Sequence, residues 1–215
     1  MTGKTSQQGM ALAVVMMALL LMAFATVALL RSTDTATLAL GNLSFQRAAL
    51  GQADGALQMA EQWLSDNNTG GALFSNNSAS GYFATRSDGC DFTGNMTPNT
   101  TADDVRWPGV TGGSLCLLQA LAVTPTGLAA GYTVSYVITR LCNAQGDPAS
   151  PLAEDGVTPM TCANANTATL EGSTRAAASY GQTPLSGGNQ YYYRVTVRVV
   201  APRGGTRYVQ TLVIL

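Results

Sequence analysis

The chain has 215 residues, enough for one domain with an appendage. Only 11% of them are charged and the formal net charge is -1, so the basic footprint that neutralises phosphates is missing and no nucleic-acid partner is expected. Histidine is absent, which excludes Ser-His-Asp and Cys-His chemistry and His-ligated zinc. No carboxylate pair and no nucleophile with a base stands out, so the chain reads as non-catalytic, without cofactor or metal.

Residues 1–9 are polar, with Lys4 the one charge. From Met10 to Leu30 there is no charge, and Thr26 is the only polar side chain. A helix over this run rises about 1.5 Å per residue, enough to cross a hydrocarbon core of about 30 Å. A membrane anchor and a cleaved secretory signal both fit. For the second, Lys4 supplies the positive n-region and Ala23-Phe24-Ala25 the cleavage site, which would leave Thr26 as the first residue. The following segment favours retention. Arg31 to Leu64 contains no proline, and Leu38, Phe45, Ala49, Ala53, Ala56, Ala60 and Leu64 recur at helical spacing. Asp34, Gln46, Gln52, Glu61 and Gln62 mostly avoid that stripe, so an amphipathic helix continues the apolar one. A cut at Ala25 would sever it. Gly41, Gly51 and Gly55 each cost up to about 1 kcal/mol in a helix, and Gly41-Asn42 is where it would loosen first.

After Leu64 the composition turns to Asn, Gly and Ser, and loops are expected at 65–81 and 93–104. Alternation predicts strands over Tyr132–Cys142 and from Tyr191 to Val199, with a shorter one inside Leu115–Val123. Pro202-Arg203-Gly204-Gly205 predicts a turn and Thr206–Leu215 its return strand. Arg194 and Arg198 fall on the face opposite Tyr193, Val195 and Val197, and read as solvated; the tyrosines read as core. The expected fold is α+β, with an antiparallel sheet against the amphipathic half of the helix.

Cys90, Cys116, Cys142 and Cys162 lack CxxC spacing and read as two disulfides of an exported region. Of the three pairings, Cys142–Cys162 closes a polar loop of about twenty residues, and Cys90–Cys116 follows by elimination. That loop carries Asp147, Glu154 and Asp155. Oxygen ligands suit calcium, but the spacing matches no EF-hand, and an exposed loop for contact with other subunits is the stronger reading.

A polar leader ending in Gly9, a uniformly apolar run, an amphipathic helix and a disulfide-bearing β domain together resemble type IV pilins. QQGMALAVVMMALLLM followed by ALGNLSFQRAALGQADGALQMAE is similar to the N-terminal module of PilX-like minor pilins, with Gly41-Asn42, Asp54 and Glu61 at the family's marked positions. Asp54 stands where glutamate is more usual. GYTVSYVITRLC and YYYRVTVRVVAPRGGTRYVQTLVIL extend the likeness, which covers about half the chain and leaves 65–130 without a recognisable motif. The resemblance implies a pilin-like fold in four parts. These are a prepilin leader at 1–9, a transmembrane and filament-core helix at 10–30, its amphipathic continuation at 31–64, and an exported β-rich domain at 65–215.

It also implies that prepilin peptidase cuts between Gly9 and Met10 and methylates Met10. The subunit would rest in the inner membrane with its bulk in the periplasm, and then enter an extracellular pilus. Implied partners are the major pilin, other minor pilins, the peptidase and the inner-membrane assembly platform. Pilins usually carry glutamate at the fifth mature position, and that position here is Val14. Its absence is expected of a subunit at or near the filament tip that primes assembly. The alternatives are a minor pseudopilin of type II secretion or an exported binding domain with a cleaved signal.

Overall fold

The computed structural model describes residues 8–96, 100–110, 113–164, 190–202 and 204–215. Its elements are helix α1 (Gln8–Asp66), a 3-10 turn (Ser78–Ser80), and strands β1 (Tyr82–Phe83), β2 (Leu121–Val123), β3 (Thr133–Arg140), β4 (Tyr192–Val200) and β5 (Thr206–Ile214). The chain divides into two units, Met1–Ala48 and Ala49–Leu215. The described part of the first is helical throughout, and Gly41-Asn42 does not interrupt it.

The second unit begins inside the helix because its core does. Ala49, Ala53, Ala56, Ala60 and Leu64 are 0–1% exposed. They pack with Val134, Tyr136 and Ile138 of β3 and Val195, Val197 and Val199 of β4. Alanine at four of the five positions keeps side-chain bulk out of the helix–sheet interface. Gly55 serves a similar close approach, since a Cβ there would lie 2.8 Å from Cβ of Pro125. The Gln52 side chain adds a polar tie, accepting from the Ala129 N–H at 3.0 Å.

The sheet runs β1-β3-β4-β5, with β2 also on β3. β2/β3, β3/β4 and β4/β5 are antiparallel, whereas β1 pairs with β3 in parallel. The sheet is therefore mixed and not purely antiparallel. The connection from β1 to β3 is long enough to permit a parallel return. β2 is only three residues long because 115–120 bonds elsewhere. Leu115 donates to the Ala102 carbonyl, Arg106 to Leu118 and Ala120 to Arg106.

Those loops form a second layer over the other face of the sheet. Phe83, Phe92, Val105, Trp107, Cys116 and Leu118 cluster there with Val137 of β3. As a result β3 is buried on both faces from Val134 to Arg140. Arg194 and Arg198 face this layer and not bulk solvent, a correction to their sequence reading. The Arg194 guanidinium lies 3.9 Å from the centroid of Phe92 and donates to the Arg86 carbonyl at 2.7 Å. Arg198 donates to the Pro108 carbonyl at 3.3 Å.

Asp91, 2% exposed, organises the loop at 93–96. One carboxylate oxygen accepts from the N–H groups of Thr93 and Gly94, and the other accepts from Met96 at 2.7 Å. Asp104 sits beside it with a buried oxygen, Oδ1, that has no hydrogen-bond partner. Desolvation, followed by the charges of Asp91 and Asp103, holds its pKa above the usual carboxylate value. A carboxyl group raised in this way favours the fold when protonated, so its charged form costs stability at neutral pH. Asp104→Asn is expected to raise the melting temperature at pH 7, and the gain should shrink as the pH falls through the carboxylate range. A scan of both proteins from pH 7 to pH 3 that showed a constant or reversed difference would refute this.

Candidate functional site: an exposed apolar helix and the disulfide loops

The first unit presents one feature with a clear physical consequence. Ala11–Thr33 is a span of 23 residues with mean hydropathy 2.7, and none of its most apolar window is buried by the rest of the chain. Leu12, Met17, Leu21 and Phe24 are all more than 60% exposed. By length and composition this helix can cross a membrane. Its two threonine hydroxyls are spent within the helix. Thr26 Oγ1 donates to the Ala23 carbonyl and Thr33 Oγ1 to the Leu30 carbonyl, both at 2.8 Å. Each removes a polar group that would otherwise be costly in hydrocarbon.

Gly9 and Met10 lie in the first turn of α1, and Val14, 66% exposed, lies one turn further on. No side chain among residues 11–30 is titratable. Residues 1–7 fall outside the described part of the leader. Asp54 and Glu61 are exposed on the helix of the second unit.

All four cysteines are paired, Cys90 with Cys116 and Cys142 with Cys162. Two disulfides fit an oxidising, exported setting. The Cys142–Cys162 loop is held together by its own polar groups. Asp155 accepts from the N–H groups of Val157 and Thr158, and Asp147 accepts from Ala149 at 2.9 Å. The hydrogen bonds from Thr158 and Val157 keep Asp155 below the usual carboxylate range. Asp147 and Glu154 also line a shallow groove of about 520 Å³ with Phe74, Ser150 and Leu152. No three acidic, histidine or cysteine side chains converge to hold a metal among the described residues.

Sequence reasoning missed two things. One is the second layer, whose only signals were Phe92, Val105 and Trp107 scattered through polar loops. The other is Arg140, 0% exposed at the end of β3. Its guanidinium donates to the carbonyls of Leu73, Ala84, Ala144 and Gly146. No family model, no curated protein and no solved structure matches the chain.

Proposed function

We propose that this chain is a minor pilin of the PilX-like kind, which takes part in type IV pilus assembly at or near the filament tip. The observation that carries the reading is the order of the first thirty residues. A polar leader ends in Gly9, and a 23-residue apolar span without a carboxylate follows at once from Ala11. The α+β architecture and the two disulfides support it. Prepilin peptidase would release Met10 as an N-methylated terminus, and the helix would hold the subunit in the inner membrane until assembly.

In an apolar filament core an unpaired ammonium is expensive, so a subunit that receives another above it needs a carboxylate near its own start. Val14 offers none. A subunit at the tip has nothing above it and tolerates the loss. Partners under this reading are the major pilin, other minor pilins, the peptidase and the assembly platform.

Two measurements test this. Mass spectrometry of the native protein is expected to find N-methylated Met10 as the mature terminus; a chain that began at Thr26 would end the pilin reading. Val14→Glu is expected to let the subunit enter along the shaft. Labelled pili in which the variant stays confined to the tip would remove the electrostatic argument.

A further inference from the structure

Aspartate followed by glycine occurs three times, at Asp54-Gly55, Asp88-Gly89 and Asp155-Gly156. Such a pair can rearrange, because glycine carries no Cβ to shield its main-chain nitrogen from the aspartate side chain. The rearrangement needs that nitrogen free of a hydrogen bond and the carboxyl group free to turn toward it. The fold denies this to two of the pairs. Gly55 lies inside α1, where its N–H bonds to the carbonyl four residues back, and Pro125 crowds its Cα. Gly156 is exposed, but its N–H donates to the Ala153 carbonyl at 3.0 Å. The Asp155 carboxylate accepts from the Val157 and Thr158 N–H groups and from the Thr158 hydroxyl.

Asp88-Gly89 is under neither restraint. The two residues form the tip of a turn closed by the Cys90 N–H, which donates to the Ser87 carbonyl at 3.0 Å. The Gly89 N–H donates to no described residue, and nothing lies within 4 Å of where a Cβ of Gly89 would sit. The Asp88 side chain is 65% exposed, and it pairs at 2.6 Å with Arg86, itself 50% exposed. An ion pair so exposed is worth about 0–1 kcal/mol and does not fix the carboxylate. Ser87 has a φ of 51°, and it is the one non-glycine residue at positive φ among those described. Opening the turn would release that conformation.

We propose that Asp88 is a site of spontaneous isoaspartate formation. The Gly89 nitrogen attacks Cγ of Asp88 and gives up its proton, a C–N bond forms, and one carboxyl oxygen leaves as water. Water then enters the succinimide ring at the main-chain carbonyl carbon of Asp88 and breaks its bond to the Gly89 nitrogen. The main chain now runs through Cγ and is one methylene longer. One water leaves and one enters, and no oxidant, reductant or enzyme takes part. The extra methylene falls between β1 and Cys90, so the change bears on the second layer and leaves the main core alone. The site lies wholly in the second unit and stands whether or not Met10 is the mature terminus.

The test uses the full chain in detergent micelles, aged at neutral pH in water enriched in heavy oxygen. Each ring opening installs one heavy oxygen atom, and electron-transfer fragmentation tells isoaspartyl from aspartyl peptides. Isoaspartate is expected to form at Asp88 about tenfold or more faster than at Asp155 or Asp54, because at those sites further hydrogen bonds must break before the ring can close. In urea with the disulfides reduced, the three rates should come close together, since the difference belongs to the fold. Gly89→Ala puts a methyl group into open space at a residue that is not left-handed, so native circular dichroism should be kept. The shielded nitrogen should cut the rate at Asp88 by about tenfold or more. Equal rates at Asp88 and Asp155 in the folded protein would overturn the proposal. So would a ranking that survives unfolding, or a rate at Asp88 indifferent to Gly89→Ala.

Discussion

Arg140→Met is expected to cost about 4 kcal/mol, a large part of the stability of an ordinary domain, which is about 5–15 kcal/mol. Arg140 is the last residue of β3 and has no exposed surface. Its Nε donates to the Ala84 carbonyl at 3.2 Å, one terminal nitrogen to Leu73 at 3.0 Å, and the other to Ala144 at 3.3 Å and Gly146 at 2.9 Å. These carbonyls belong to three segments without regular structure of their own. One follows the helix, one follows β1, and one follows Cys142. The guanidinium is thus the joint at which they meet. A bond from a charged donor is worth about 1.5–3 kcal/mol, and a buried acceptor left without a partner loses its desolvation cost as well. The Leu73 carbonyl would keep one donor, the Tyr82 hydroxyl at 2.7 Å, so three of the four would be orphaned. Methionine approximates the stem but offers no N–H. Arg140→Lys should fall between the two, because a single ammonium cannot reach carbonyls on opposite sides of a planar fork. Urea unfolding followed by far-ultraviolet circular dichroism measures the loss. A cost below about 1 kcal/mol for methionine would mean that these segments are held by something else.

The same joint explains why part of this fold was legible and part was not. The helix stripe was readable because Ala49, Ala53, Ala56, Ala60 and Leu64 repeat at one face, and that periodicity is imposed by the contact itself. β4 and β5 were readable for the same reason, with a Pro-Gly turn between them. β3 was legible as a strand but not as a strand buried on both faces. Its second face carries Ser135, Thr139 and the partner residues Thr196 and Arg194, which pattern reasoning assigns to water. What covers them is a layer of loops tied by bonds between distant residues, such as Val105 to Asp91 and Arg106 to Leu118, so no local period marks it. Arg140 was illegible for a related reason. An arginine ending a strand usually signals the surface, and only the convergence of the distant Leu73 and Ala84 carbonyls with those of the nearby loop at Ala144 and Gly146 makes it interior. At the helix start the apolar run from Ala11 was legible from chain order alone, because a uniformly apolar run needs no tertiary partner to be noticed.

The two disulfides should have similar costs and different consequences. They close loops separated by 26 and 20 residues, and the chain-entropy relation makes each worth about 3 kcal/mol. Cys142–Cys162 joins the end of β3 to the approach of β4, where Asn143 donates to the Thr161 carbonyl and Ala163 to Leu141. Its neighbours are the main core, so Cys142→Ala with Cys162→Ala should lower global stability and leave native packing intact until the whole unit unfolds. Cys90–Cys116 lies in the second layer, where isolated bridges such as Asp91↔Asp104 and Arg106↔Gln119 replace a ladder. Without that staple the layer has little to keep it closed, and it should open below the main transition. The chain carries a reporter for each region. Trp63 packs on Tyr82 in the main core with ring centroids 5.3 Å apart, and Trp107 packs on Tyr208 in the second layer at 5.6 Å. In Cys90→Ala with Cys116→Ala, a Trp63→Phe background should show Trp107 emission moving to the red at lower urea than the circular dichroism change. In a Trp107→Phe background, Trp63 should follow the circular dichroism. Coincident transitions for both tryptophans would mean that the two layers form one cooperative core, held across β3 by Val137 and its neighbours and not by the staple.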